Sequence, residues 1–133
     1  MEKVARDVAE LEIESWLDHK KVKSKKRESN ADQLERLVEA VQDGVLKFDE
    51  ANGHLVQILN FPIGDNDQIK ELSYKPRLKV GESHRFLKGY ASDDMDGRML
   101  AYVCAITNQP KNILTGLDTD DYGVANSIVV FFL

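Results

Sequence analysis

Six apolar residues in a row, Ile128-Val129-Val130-Phe131-Phe132-Leu133, close the chain, and no charge follows them. Burying one side chain of this kind is worth about 1.5–3 kcal/mol, so several left in water favour association. Something has to cover this end: the chain's own core, a second copy, or another protein. Any fold must deliver one of the three, and the choice bears directly on function.

Composition narrows the setting. The 133 residues suit one domain with a detachable arm. Apolar residues, at 42%, allow a modest core, and 31% charged residues keep the surface soluble. The longest apolar stretch is the closing one, far short of the ~20 residues that span a bilayer, so no membrane residence is expected. Met1-Glu2-Lys3-Val4 opens the chain without the apolar segment of a secretion signal. One cysteine, Cys104, has no internal partner for a disulfide, which points to a reducing intracellular compartment.

Charge is unevenly spread. Lys20, Lys21, Lys23, Lys25, Lys26 and Arg27 are six positive charges with no negative one among them, so the rest of the chain, at −5 less those six, carries −11. A basic stretch on an acidic body contacts nucleic acid, an anionic surface or the body itself, or is simply a solvated linker. The linker is the preferred expectation. No aromatic residue interleaves with these cations, so there is no stacking platform for single strands.

Residues 3–18 have the spacing of an amphipathic helix: Val4, Val8, Leu11 and Ser15 share one face, which Ala5, Ala9, Ile13 and Trp16-Leu17 widen. Ser29 or Asn30 then caps a second helix reaching about Asp43, with Leu34, Leu37, Val38 and Val41 on its apolar face. Gly44 stands where a left-handed glycine ends a helix. Helices this short are marginal in water, so the arm (residues 1–44, with a basic linker at 20–29) needs either the body or another chain.

From Val45 the period changes to two. Val45–Phe48 and His54–Phe61 flank Asp49-Glu50-Ala51-Asn52-Gly53, and Asn-Gly supplies the positive φ of a tight reversal. Both sides of the second run carry apolar residues, which predicts a strand partly covered on each face. Pro62 is expected to end it, and Gln68–Tyr74 to return as a third strand that leaves at an edge through Pro76. Short helices follow. One covers residues 81–87, and one runs from Asp94 or Asp96 to Thr107 with Leu100, Val103, Cys104 and Thr107 on a stripe. Pro110 opens a third, and Asp118 or Thr119 caps the last. The expected class is α+β: a small three-stranded antiparallel sheet followed by a cluster of short helices in residues 45–133, preceded by the helical arm.

Candidate chemistry is sparse. Asp94-Met95-Asp96-Gly97 and Asp118-Thr119-Asp120-Asp121 suggest calcium loops, but Val103 and Val129 occupy the twelfth loop position, where a bidentate glutamate is required. Helix capping explains these acids better. His19, His54 and His84 have no ligand spacing, and the glycines form no phosphate-cradling loop. Cys104 sits on an apolar stripe as a small hydrophobe. A nucleophile there needs a base, and His84 is the one conceivable partner. No enzyme, cofactor or metal is expected.

From about His54 onward the order of elements resembles the tail assembly chaperones of long-tailed bacteriophages. The residues that carry the resemblance are Ile69-Lys70-Glu71-Leu72-Ser73-Tyr74-Lys75-Pro76, then Asp94-Met95-Asp96-Gly97 opening a longer helix. Ala105-Ile106-Thr107-Asn108-Gln109-Pro110, Ile113-Leu114, Leu117-Asp118 and Asp121-Tyr122 follow before an apolar final helix. Asn108 stands where the family commonly has glycine. The match covers roughly the last 80 residues and leaves out the arm.

The resemblance implies a non-enzymatic protein of the host cytoplasm that coats the tape-measure protein until tail tube subunits displace it, and that is missing from the mature virion. It further implies a homo-oligomer. The surface expected to bind these partners comprises Leu100, Val103, Cys104, Ile128, Val129, Phe131, Phe132 and Leu133. On that expectation Phe131→Asp with Phe132→Asp abolishes association and leaves the far-ultraviolet circular dichroism intact. Two rival readings are a nucleic-acid-binding accessory protein using residues 20–27, and a structural tail component retained in the virion.

Overall fold

A computed structural model describes residues 3–133, and it is α+β, as the sequence predicts. The first helix, α1 (Arg6–Lys20), turns a different face inward from the one its valines suggest. Ala9, Ile13, Trp16, Leu17 and Lys20 are buried, whereas Val8 and Leu11 are 52% and 63% exposed. Apolar residues occur around most of this helix, so total buried area decides its orientation. Trp16, Leu17 and Ile13 together remove more surface from water than Val4, Val8 and Leu11.

The basic segment is not a free linker. Residues Ser24–Ser29 form a short helix, α2. Arg27 pins it, donating from Nε to the Val22 carbonyl (2.9 Å) and from its guanidinium to Asp18 (2.8 Å). The next helix, α3 (Ala31–Gln42), buries Leu37, Val38, Ala40 and Val41. It ends as expected at Gly44, whose φ of 78° lets the Val45 amide reach back to the Ala40 carbonyl at 3.0 Å.

Three strands follow in spatial order β1 (Leu46–Asp49), β2 (His54–Ile63) and β3 (Ile69–Tyr74), antiparallel throughout. Gly53 takes the positive φ of the first turn, 77°, while the Asn52 side chain accepts the His54 amide at 2.9 Å. The register places Leu46, Gln57 and Leu72 in one row and Leu55 beside Tyr74, all buried on one face. Val56 and Ile58, on the other face, are half-buried.

Pro62 does not end β2. Between the pairs Ile58↔Glu71 and Ile63↔Ile69 the strand bulges outward, and Pro62 sits in the bulge, where no ladder hydrogen bond is asked of it. The amides of Asn60 and Phe61, freed from the ladder, donate to the two carboxylate oxygens of Asp121, each at 3.1 Å.

Four helices complete the chain: α4 (Val80–Leu87), α5 (Met95–Thr107), α6 (Lys111–Leu114) and α7 (Thr119–Val129), with a 3-10 turn over Val130–Phe132. The acids cap as expected. Asp94 accepts the Gly97 amide at 3.0 Å and Asp118 accepts the Asp120 amide at 2.9 Å. Asn108 adopts the left-handed conformation (φ 55°, ψ 42°) that a glycine commonly supplies and that asparagine tolerates.

One hydrophobic cluster joins α1, α3, the sheet, α5 and α7. The division at residue 44 therefore separates two stretches of sequence that share a core, and the arm packs against its own body. Trp16 meets Phe131 edge to face, with ring centroids 5.8 Å apart and planes at 83°.

Candidate binding grooves

The fold covers its apolar end with its own core. Ile128 and Val129 are fully buried and Phe131 is 3% exposed; Val103 and Cys104 are likewise sealed. These five residues of the expected partner surface are thus packed against their own chain. Of the remainder, Leu100 and Phe132 are half-buried and Leu133 is half-exposed. The double substitution Phe131→Asp, Phe132→Asp places one of its charges in the interior, so an unchanged fold is no longer the expected outcome.

Burial of the end brings it against the basic segment. A groove of about 590 Å³ has Lys21, Lys23, Lys25 and Arg77 on its walls, with Val22, Leu78 and Phe132 as apolar lining. Lys26 donates from Nζ to the Leu133 carbonyl oxygen, so it is engaged rather than free. Lys20 is the unexpected member. Its side chain is buried, its Nζ donates to the Pro76 carbonyl at 3.0 Å and lies 3.4 Å from the centroid of Phe132. Burial, with Arg77 and Lys26 nearby, nevertheless pushes its pKa down to about 8. Of the six cations of the expected linker, Lys20, Lys26 and Arg27 are thus committed within the chain. Lys21, Lys23 and Lys25 remain exposed.

A second groove, of about 380 Å³, lies where α5, α6 and α7 meet. Leu100, Leu114, Leu117 and Tyr122 line it, with Asp96 and Lys111 among its polar members. The Tyr122 phenol is pushed up, first by burial and then by Asp96 and Cys104. Leu100, expected at a partner surface, is in this groove, whereas its stripe-mates Val103 and Cys104 face the core.

Asp121 is the residue whose role sequence reasoning missed. An acid in the first turn of a helix reads as a favourable charge at the dipole, yet Asp121 is 2% exposed and holds the bulge of β2. Gln57 Nε2 donates to the Asp121 main-chain carbonyl at 3.0 Å, and the Tyr74 hydroxyl donates to Gln57 Oε1 at 2.6 Å. Burial and Asp121 together raise the Tyr74 pKa, which keeps that hydroxyl a donor. The signal in sequence is faint: Asp118 already supplies the cap, so an acid three positions later is one more than the helix end requires.

Cys104 and His84, the one nucleophile and base that the sequence could pair, stand in different surroundings. Cys104 is in the core with its thiol pKa pushed up by burial, while His84 is exposed on α4 beside Arg98 and Tyr102. Among the described residues no group of three or more His, Cys, Asp or Glu side chains is placed to hold a metal ion. No described helix is long and apolar enough to cross a membrane.

Fold and grooves together define a small α+β protein whose surface clefts include a basic one and an apolar one. No protein-family model, curated protein or solved structure matches the chain.

Proposed function

We propose that this protein is a non-enzymatic tail assembly chaperone of a long-tailed bacteriophage. It binds the hydrophobic tape-measure protein in the host cytoplasm, yields it to tail tube subunits, and is left out of the finished virion. The observation that carries this reading is the apolar groove of α5, α6 and α7. Several residues behind the family resemblance (Asp96, Gly97, Leu114, Leu117, Tyr122) line it together with Leu100. A groove of modest size lined by leucines and a tyrosine suits a succession of weak contacts along an apolar helix. Such contacts let tube subunits displace the chaperone one site at a time.

Co-expression with the tape-measure protein of the same phage is the test. The wild type should keep that protein soluble and co-purify with it. Leu100→Asp should lose the complex while its circular dichroism matches the wild type. A tape-measure protein that behaves identically with and without this chain rejects the reading.

The cluster of Lys21, Lys23, Lys25 and Arg77 supports a second reading, a nucleic-acid-binding accessory protein. That reading requires a mobility shift whose affinity falls steeply with salt. Retention as a structural tail component is a third, and peptides of this chain in purified particles would select it.

A further inference from the structure

A third cleft, of about 570 Å³, lies between the packed helices α4 and α5 and shares no lining residue with either groove described above. His84 and Lys88 line it from the end of α4, and Arg98 and Tyr102 from α5. Side chains four positions apart share one face of a helix, about 6 Å apart along its axis. Each helix therefore turns a pair of hydrogen-bond donors into the same space. Ser83 and Leu87 complete the lining, and no carboxylate is part of it. We propose that this cleft binds a small organic molecule through its phosphate monoester.

Arg98 carries the inference. It is half-buried, and among the described residues its guanidinium has neither an ion pair nor a hydrogen bond. Arg27, the other half-buried arginine, is held by Asp18 and the Val22 carbonyl. Asp94, one turn before Arg98, gives its carboxylate to the Gly97 amide instead. Arg98 also stands fourth in α5, near the positive end of the helix dipole, where a cation is unfavourable. His84 and Lys88 suit the negative end of α4 and need no ligand to explain them. Arg98 has no such reason for its place, and an anion in the cleft supplies the acceptor it lacks.

The donor set selects the class of anion. Lys88 and Arg98 are permanent cations, and a phosphate monoester at neutral pH carries nearly the matching double charge. The planar guanidinium engages two of its terminal oxygens in parallel, leaving the third to Lys88, with His84 and the Tyr102 hydroxyl as further donors. Ser83 adds no proton, because its hydroxyl already donates to the Val80 carbonyl at 3.1 Å. A carboxylate, with one charge and two oxygens, leaves part of this set idle. Leu87 and Tyr102 give the organic group apolar contact. A nucleic-acid strand fits less well: the donors fall within about one helical turn, the footprint of a single phosphate, and a net charge of −5 repels a polyanion. This site goes beyond the chaperone reading and does not depend on any client.

Phenyl phosphate titrated into the full isotope-labelled chain, followed by amide NMR shifts, tests the proposal. The shifts should saturate at one ligand per chain and cluster on residues 83–88 and 98–102. Arg98→Gln should weaken binding by about tenfold or more, as loss of a charge-assisted pair does, and Lys88→Gln, at an exposed position, should weaken it as well. Arg98 makes no side-chain bond that the fold uses, so circular dichroism of that variant should match the wild type. Lys21→Gln with Lys23→Gln and Lys25→Gln should bind like the wild type, which separates this cleft from the basic groove. Benzoate, the same ring with a single charge, should bind more weakly than phenyl phosphate by about tenfold. Shifts that do not saturate, shifts centred on residues 20–27, an Arg98→Gln variant that binds like the wild type, or benzoate that binds as tightly overturns the proposal. So does duplex DNA that perturbs the cleft residues when phenyl phosphate leaves them unchanged.

Discussion

Lys20 carries its ammonium into the protein, between the Pro76 carbonyl and the Phe132 ring. Those two contacts favour the charge; burial, Arg77 and Lys26 oppose it and prevail, so the folded pKa is about 8 against an ordinary 10.5. Between those values the unfolded chain binds more protons than the folded one, so this residue makes stability rise with pH across that interval. Below about pH 8 its penalty is complete and constant. Urea unfolding of wild type and Lys20→Met should show the wild type gaining on the variant from pH 8 towards 10.5. A difference independent of pH would mean that Lys20 titrates as it does in solvent. Asp121 is buried as well, and its two side-chain oxygens each accept a main-chain amide. Asp121→Asn turns one acceptor into a donor facing an N–H. It should lower the unfolding free energy by about 2–4 kcal/mol, read from the shift of the urea midpoint.

At the scale of elements, the 3-10 turn after α7 acts as a core wedge, because Phe131 packs edge to face with Trp16 of α1. Phe131→Ala should destabilise by about 3–5 kcal/mol, and Phe132→Ala by clearly less, since only the first side chain is sealed. Equal effects in thermal melts of the two variants would place both side chains in the same environment. The local signals of these elements were legible in advance. The caps at Asp94 and Asp118, the stop at Gly44 and the turn at Gly53 each depend on a few adjacent residues, and each stands where the sequence puts it. What misled was orientation. A helix with apolar residues on most sides has no local reason to prefer Trp16 over Leu11 as its inward side. Likewise Pro62 reads as a stop only until Asp121 accepts the amides that the bulge releases.

For the whole molecule, one core implies one cooperative unit. Trp16, the single tryptophan, is fully buried where the arm meets the body, so its fluorescence reports their contact. Its loss should coincide with loss of far-ultraviolet circular dichroism in urea, as in other small domains. An earlier fluorescence transition would show the arm detaching first. The two features that dominate the sequence, the basic run and the apolar end, meet through this same packing: Lys26 reaches Leu133 across 107 positions of chain.

Charge, periodicity and capping are properties of neighbouring residues, and they determined the α+β class, the order of its elements apart from the short helix α2, and the need for something to cover the last six residues. Which body supplied that cover was settled by long-range packing, which sealed Phe131 against Trp16 and left Phe132 to form a groove with the lysines. Pattern along a chain sets which surfaces are apolar. Only the competition among them for one limited interior decides which stay outside.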